Sequence, residues 1–145
     1  MTDSSGPATR TISAEVRQEG PATGRGLVRS HAVLIDRPTE KGGSDRGPMG
    51  GELLLLALGG CFMSNLLAAI RSRQVVADSF RVGVEAVIEG APDRMTRFTL
   101  RVSGRFDDRS QMEKLVTIAE RGCIVANTLR NLAPIDVILD ELQQA

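Results

Sequence analysis

The composition of this chain of 145 residues excludes several classes of protein. Its 18 basic residues balance 18 acidic ones, and Trp and Tyr are absent, which argues against a protein that binds nucleic acid through phosphates or stacked bases. Two cysteines and one histidine are too few for the four ligands of a structural zinc site, so we expect no metal and no other cofactor.

The N-terminal segment predicts a disordered tail over residues 1–9, followed by a single domain over residues 10–145. The tail is rich in Ser, Thr, Gly and Pro and lacks the apolar stretch of a secretory signal. Together with the low cysteine count, this composition favours a reducing, cytoplasmic location.

Alternating apolar residues predict three strands in the first third of the chain. They cover residues 11–18, 27–29 and 31–36, with a turn at the glycines of residues 24–26. Residues 37–51 contain several glycines and prolines and predict a long flexible loop, a kind of segment that is often functional.

A strongly apolar helix is predicted over residues 52–73. Residues 53–70 carry no charge, which is near the length of a membrane span, but the segment includes Ser64 and Asn65 and no second span follows. We therefore expect a buried central helix and no membrane partner. Because the helix is apolar on all sides, a single small domain would not cover it, and we expect a homodimer.

The C-terminal half predicts a hairpin, two helices and a last strand. The elements are strands at 80–89 and 98–106, a helix opened by a capping box at residues 110–113, a helix at 124–132 and a strand at 135–139. The complete order, β-β-β-α-β-β-α-α-β, predicts an α+β domain.

The two cysteines are the candidate reactive groups. Cys61 lies in the apolar helix and Cys123 between two helical segments, and each directly follows a glycine that lets another group approach. Both could equally be small buried residues, as free cysteines often are.

A reactive Cys61 would need a nearby cation to stabilise its thiolate. The start of its helix lies about 15 Å away at 1.5 Å per residue, so the helix dipole is too distant. The candidates that remain are arginines before the helix, and Glu52 could hold one of them. At 100° per residue Glu52 and Cys61 lie on opposite sides of a straight helix, so their contact would require a bend or a partner chain. These candidate arginines are Arg25, Arg29, Arg37 and Arg46.

Two motifs identify a family resemblance. The segment GPMGGELLLLALGGC at residues 47–61 resembles the central-helix motif of the OsmC/Ohr proteins, the osmotically inducible and organic hydroperoxide resistance family. The segment GCIVANTL at residues 122–129 resembles the second-cysteine motif of that family. The spacing of the two cysteines and the element order also agree over nearly the whole chain.

This resemblance implies an OsmC-like fold, in which antiparallel sheets pack around long central helices of an intertwined homodimer. It also implies a thiol peroxidase that takes a hydroperoxide as substrate and a dithiol as reductant in oxidative-stress defence. By this resemblance Cys61 would be the peroxidatic thiol and Cys123 the resolving thiol, whereas Glu52 is a candidate site residue only through its expected contact with an arginine. The first thiol would become a sulfenic acid and then form a disulfide with the second.

The chain departs from the better-known members of the family in three respects, the first of which is the activating arginine of their first hairpin, to which Arg25 is the nearest residue here. Their Pro-Glu pair places a glutamate ten residues before the cysteine, where this chain has Gly51, and Glu52 follows it. Ile124 replaces the usual proline after the second cysteine. The sequence thus resembles a less characterised branch. A non-enzymatic member that binds a small apolar ligand, or a stress-induced partner protein, is the alternative function.

Overall fold

A computed structural model describes residues 6–141 and shows two compact units, Met1–Gly50 and Gly51–Ala145. The predicted tail begins outside the described residues. Its described part, residues 6–9, is exposed and forms neither helix nor strand. The single domain over residues 10–145 stays a prediction.

The first unit contains a three-stranded antiparallel sheet. Its strands are β1 (Glu15–Gln18), β2 (Gly24–Val28) and β3 (His31–Ile35), in that spatial order. The predicted first strand is therefore too long at its start, and the predicted turn at residues 24–26 is wrong. Gly26 pairs with both neighbouring strands, and a Cβ atom there would lie 3.1 Å from Val33 Cγ1. Gly26 therefore allows β3 to pack closely against β2, and it does not form a turn.

The segment after β3, predicted to be a flexible loop, is held by Asp36. This buried carboxylate accepts hydrogen bonds from the backbone N–H groups of Arg37, Ser44 and Arg46 at 2.7, 3.3 and 3.2 Å. It also accepts one from the Thr23 hydroxyl at 3.2 Å. Burial alone would raise the pKa of Asp36, but these hydrogen bonds outweigh it and hold the pKa below its ordinary value.

The second unit is built on a long helix and a three-stranded mixed sheet. Helix α1 (Gly50–Ser72) is followed by β4 (Ala77–Glu89) and β5 (Arg94–Phe106), which form the predicted antiparallel hairpin. The last strand, β6 (Ile135–Glu141), pairs with β5 in parallel. The predicted α+β fold is confirmed, and the pairing of β5 with β6 is parallel where the sequence predicted antiparallel sheets.

Two shorter helices connect β5 to β6. They are α2 (Arg109–Gly122) and α3 (Ile124–Leu129). The cap of α2 is Asp108, whose side chain accepts the Gln111 N–H at 2.9 Å, so the predicted capping box beginning at Ser110 is wrong. The predicted element order is otherwise confirmed, with one additional 3₁₀ turn at Thr39–Lys41.

The core of the second unit lies between α1 and one face of the sheet, with α2 and α3 at its side. Alternate residues of β5, including Phe98, Leu100 and Val102, are buried as the sequence pattern predicts. A Cβ atom at Gly59 would lie 2.8 Å from Val84 Cγ2, so this glycine lets α1 approach β4 closely. That approach fixes the position of the helix that carries Cys61.

Helix α1 is the one helix among residues 6–141 that is long and apolar enough to cross a membrane. The mean hydropathy of its 18-residue window is 2.1, and 33% of that window is buried. Its buried face packs into the core of the second unit, with Leu58, Phe62 and Leu66 fully covered.

Candidate redox site

The fold brings the two cysteines of the second unit together. Cys61 is half-buried on α1, and Cys123 is 0% exposed at the joint between α2 and α3. Both are free thiols, and Cys61 lies near enough to Cys123 to contribute to the raised pKa of the Cys123 thiol. Residues that are 62 positions apart therefore form one pair, of which Cys61 is the more accessible member.

The joint that holds Cys123 follows from its backbone geometry. Cys123 ends α2 and begins α3, with extended dihedral angles of −78° and 106° that interrupt the helical path. Its Sγ atom accepts the backbone N–H of Ala126 at 3.4 Å, as a capping side chain does. This geometry keeps the buried sulfur fixed toward α1.

The environment of Cys123 favours its protonated form. Burial is the main cause that raises the pKa of the Cys123 thiol. The N–H of Ala126 acts in the opposite direction, whereas the neighbouring Cys61 sulfur adds to the rise by hydrogen bonding and by charge repulsion. Cys123 is thus a neutral thiol at neutral pH.

The raised pKa of Cys123 predicts a loss of stability in alkali. The folded chain holds this proton more tightly than the unfolded chain. The contribution of Cys123 to the free energy of unfolding is therefore complete below about pH 8.5, the pKa of a free thiol. This contribution is lost as the pH rises through the raised pKa that Cys123 has in the folded chain. In reduced protein, we expect urea unfolding to show a free energy that falls more steeply above this pH in the wild type than in Cys123→Ala. Parallel pH curves for the two proteins would contradict this assignment.

Asn65 is a neighbour of the cysteine pair that the sequence reasoning did not select as a site residue. It lies one turn after Cys61 on α1, and its Nδ2 atom is 3.0 Å from the Cys61 carbonyl oxygen and 3.9 Å from Cys61 Sγ. An amide four residues after a cysteine in an apolar helix was the signal that could have identified it.

Glu52 lies in the exposed first turn of the same helix as Cys61. Nine residues of helix separate the two by about 13.5 Å along the axis, and they project from opposite sides. Helix α1 thus does not bring them together, and the site role of Glu52 stays a prediction.

All four candidate arginines belong to the first unit. Arg25 and Arg46 both contact Glu19, through Nη2 atoms at 2.7 and 3.3 Å from Oε1. The hydrogen bond from Arg25 is the main cause that lowers the pKa of Glu19. Glu19 therefore binds Arg25 within this unit, a contact that the sequence did not predict. The activation of Cys61 by an arginine stays a prediction.

The first unit also has an open cavity of about 510 Å³. Val16, Ile35 and Met49 are among its apolar lining, Arg37 and Lys41 supply positive charge, and the Asp36 carboxylate supplies negative charge. Such a lining suits a small, mainly apolar molecule with a polar group.

Residues 6–141 contain no group of three His, Cys, Asp or Glu side chains that could hold a metal ion. The one histidine, His31, is exposed on β3. That the protein needs no metal or cofactor stays a prediction.

The chain matches the model of a known protein family. The family model described as OsmC-like protein matches residues 42–138, which include both cysteines and more than half of the chain. No curated protein matches the sequence.

Several solved structures share the fold. An OsmC-like protein from Mycoplasma pneumoniae has a TM-score of 0.82 at 12% identity, and the match covers 94% of this chain and 100% of that one. The organic hydroperoxide resistance protein OhrB of Bacillus subtilis has a TM-score of 0.65 at 18% identity, covering 92% and 100%. An organic hydroperoxide resistance protein from Elizabethkingia anophelis has a TM-score of 0.67 at 18% identity, covering 93% and 99%.

Proposed function

The chain belongs to the OsmC-like protein family, and on that premise we propose that it is a cysteine-dependent thiol peroxidase for organic hydroperoxides. Two of the structurally similar proteins are named organic hydroperoxide resistance proteins, which supports this substrate class. The proposal includes a homodimer and a reducing, cytoplasmic setting, in which dithiol reductants are available.

The chemistry divides into three steps. The Cys61 thiolate attacks the outer oxygen of the hydroperoxide, the O–O bond breaks, and the alkoxide takes a proton to leave as an alcohol. The resulting sulfenic acid at Cys61 condenses with the Cys123 thiol, which releases water and forms a disulfide. A dithiol then reduces this disulfide by two exchanges and is itself oxidised.

The observation that carries the proposal is the asymmetry of the cysteine pair. Cys61 is half-buried in the single chain, whereas Cys123 is 0% exposed and lies near it. Burial keeps the pKa of Cys123 raised, so its proton is retained until a sulfenic acid forms beside it. An accessible nucleophile and a sheltered second thiol are the arrangement that a two-cysteine peroxidase requires.

The cavity of the first unit favours the second candidate function, binding of an apolar ligand without turnover. Arg37 and Lys41 would attract the carboxylate of such a ligand, and decanoate is a suitable probe. In that case both cysteines would serve as packing residues of the second unit, and decanoate would bind without any consumption of peroxide.

A turnover assay tests the proposed activity. We expect the wild-type protein to consume cumene hydroperoxide over many cycles with a dithiol such as dihydrolipoamide, and to react more slowly with hydrogen peroxide. The physical reason is that Cys61 belongs to the partly buried apolar layer that packs against the core, as do Leu54, Leu55 and Val125. Absence of consumption with every dithiol tried, in protein whose Cys61 thiol is intact, would contradict the peroxidase and favour the binding protein.

A further inference from the structure

The carboxamide of Asn65 lies between the elements that carry the two cysteines. On one side Nδ2 is 3.0 Å from the carbonyl oxygen of Cys61 and 3.9 Å from its Sγ atom. On the other side Oδ1 faces Gly122, where a Cβ atom would lie 3.3 Å from that oxygen. One side chain of α1 thus reaches both the first cysteine and the residue directly before the second.

The chemistry of these groups fixes the orientation of the amide. A backbone carbonyl oxygen only accepts hydrogen bonds, so the NH₂ group of Asn65 must be the end that faces Cys61. This group has two hydrogens, and the carbonyl takes one of them. The second is available to the sulfur atom on the same side.

The identity of residue 65 is not explained by helix formation or packing. Asparagine is a poor residue for a helix interior because its side chain competes for backbone hydrogen bonds. Here it occupies a half-buried position in an apolar helix whose other inward residues include Phe62 and Leu66. An aliphatic residue would suit α1 better, so the amide must have another role.

We propose that Asn65 is the hydrogen-bond donor that stabilises negative charge on Cys61 Sγ and orients this sulfur for its reactions. A donor within α1 is needed because the start of that helix is too distant to act on Cys61. The inference rests on the proposed function for its catalytic consequence, but the contact itself makes Cys61 more reactive toward any electrophile. Asn65 is therefore both a neighbour of the reacting atom and a positioning residue.

Alkylation by iodoacetamide tests this role without using the peroxidase reaction. In Asn65→Leu, which keeps the size but removes the donor, we expect Cys61 alkylation at neutral pH to slow about tenfold, a modest effect for a hydrogen bond to a charged group. Asn65→Asp should show a larger effect, since a carboxylate repels the thiolate.

A matched control introduces the same charge close to the second cysteine. Asn127→Asp alters an exposed residue of α3 whose amide contacts the Arg121 carbonyl and Arg130, and it should leave the alkylation profile of Cys61 unchanged. Circular dichroism shows whether a variant has lost its fold. Alkylation of Cys123 is a second check, because this thiol is buried in the folded chain. Asn65→Ala, a change that favours helix, replaces the leucine variant if the latter does not fold.

The outcomes separate this inference from the proposed function. Alkylation profiles of folded Asn65 variants that coincide with the wild type would overturn the role of Asn65, whatever the peroxidase assay shows. Slower alkylation in the Asn65 variants and not in Asn127→Asp would support it. A wild-type protein that consumes no peroxide would overturn the peroxidase, whereas the alkylation result would still decide the role of Asn65.

Discussion

Cys61→Ser should lose hydroperoxide reduction by at least about a thousandfold, as removal of a nucleophile usually does. Serine has nearly the same shape, but its hydroxyl is far less acidic and does not form the nucleophile at neutral pH. Stopped-flow measurement of peroxide consumption with excess dihydrolipoamide gives the rate for each protein. Circular dichroism of the variant checks that α1 and the sheet beneath it remain intact.

Cys123→Ser is the matched variant, because it removes the second thiol and keeps the first. Serine is a preferred helix cap, so its hydroxyl can accept the Ala126 N–H that the Cys123 sulfur accepts in the wild type. We expect one rapid turnover and then accumulation of sulfenic acid at Cys61, which a dimedone probe traps. Absence of the first turnover in Cys123→Ser, or sulfenic acid trapped in Cys61→Ser, would contradict the division of roles between the cysteines.

Leu56→Glu and Leu67→Glu should each weaken the proposed homodimer by at least about a hundredfold, because an unpaired charge would be buried in its interface. Leu56 is 64% exposed and Leu67 is 47% exposed in the single chain. They belong to the α1 stripe, the exposed side of the helix that also includes Ala57, Gly60, Ser64 and Ala68. An apolar stripe of this length on a central helix is typical of a surface covered by a partner.

Light scattering at micromolar concentration measures this effect. The wild type should have twice the chain mass of 15.5 kDa, and each α1 variant should approach the mass of one chain. Leu132→Glu changes an equally apolar residue that is 79% exposed and lies outside α1, so it should leave the dimer intact. A wild-type protein that scatters as a single chain would contradict the dimer.

The sequence was sufficient to predict the elements whose pattern is dominated by burial. In β5, every second residue from Phe98 is buried, and the apolar stripe of α2 includes Met112 and Leu115, which are also buried. Alternation and helical periodicity reflect which side of an element meets the core, so they indicate these elements directly.

The sequence predictions were wrong where one residue type is common in two kinds of structure, and where strand pairing depends on distant parts of the chain. Gly26 was interpreted as a turn residue, but it lies in β2, where the absence of a side chain gives Val33 and Ile35 of β3 room. Ser110 and Asp108 are both good helix caps, and the sequence did not show which one begins α2. The parallel pairing of β6 depends on where α2 and α3 return the chain, which local patterns do not record.

The cysteine pair was predicted from motifs, whereas its surroundings were not. That Cys61 and Cys123 are adjacent follows from the packing of α1 against the α2–α3 joint, which no local pattern contains. Asn65 was noted only as a polar residue in an apolar helix, and Glu19 was not considered as a partner of Arg25. Both act through contacts that short motifs do not include.

The most direct test of the account is disulfide mapping after reduced protein receives one equivalent of cumene hydroperoxide. Peptide mass spectrometry under non-reducing conditions should find Cys61 joined to Cys123 within one chain, and both thiols should return after treatment with a dithiol. Cys61 oxidised to sulfinic acid while Cys123 stays a free thiol, or both thiols left unchanged, would contradict the claim that these two residues form a peroxidatic pair.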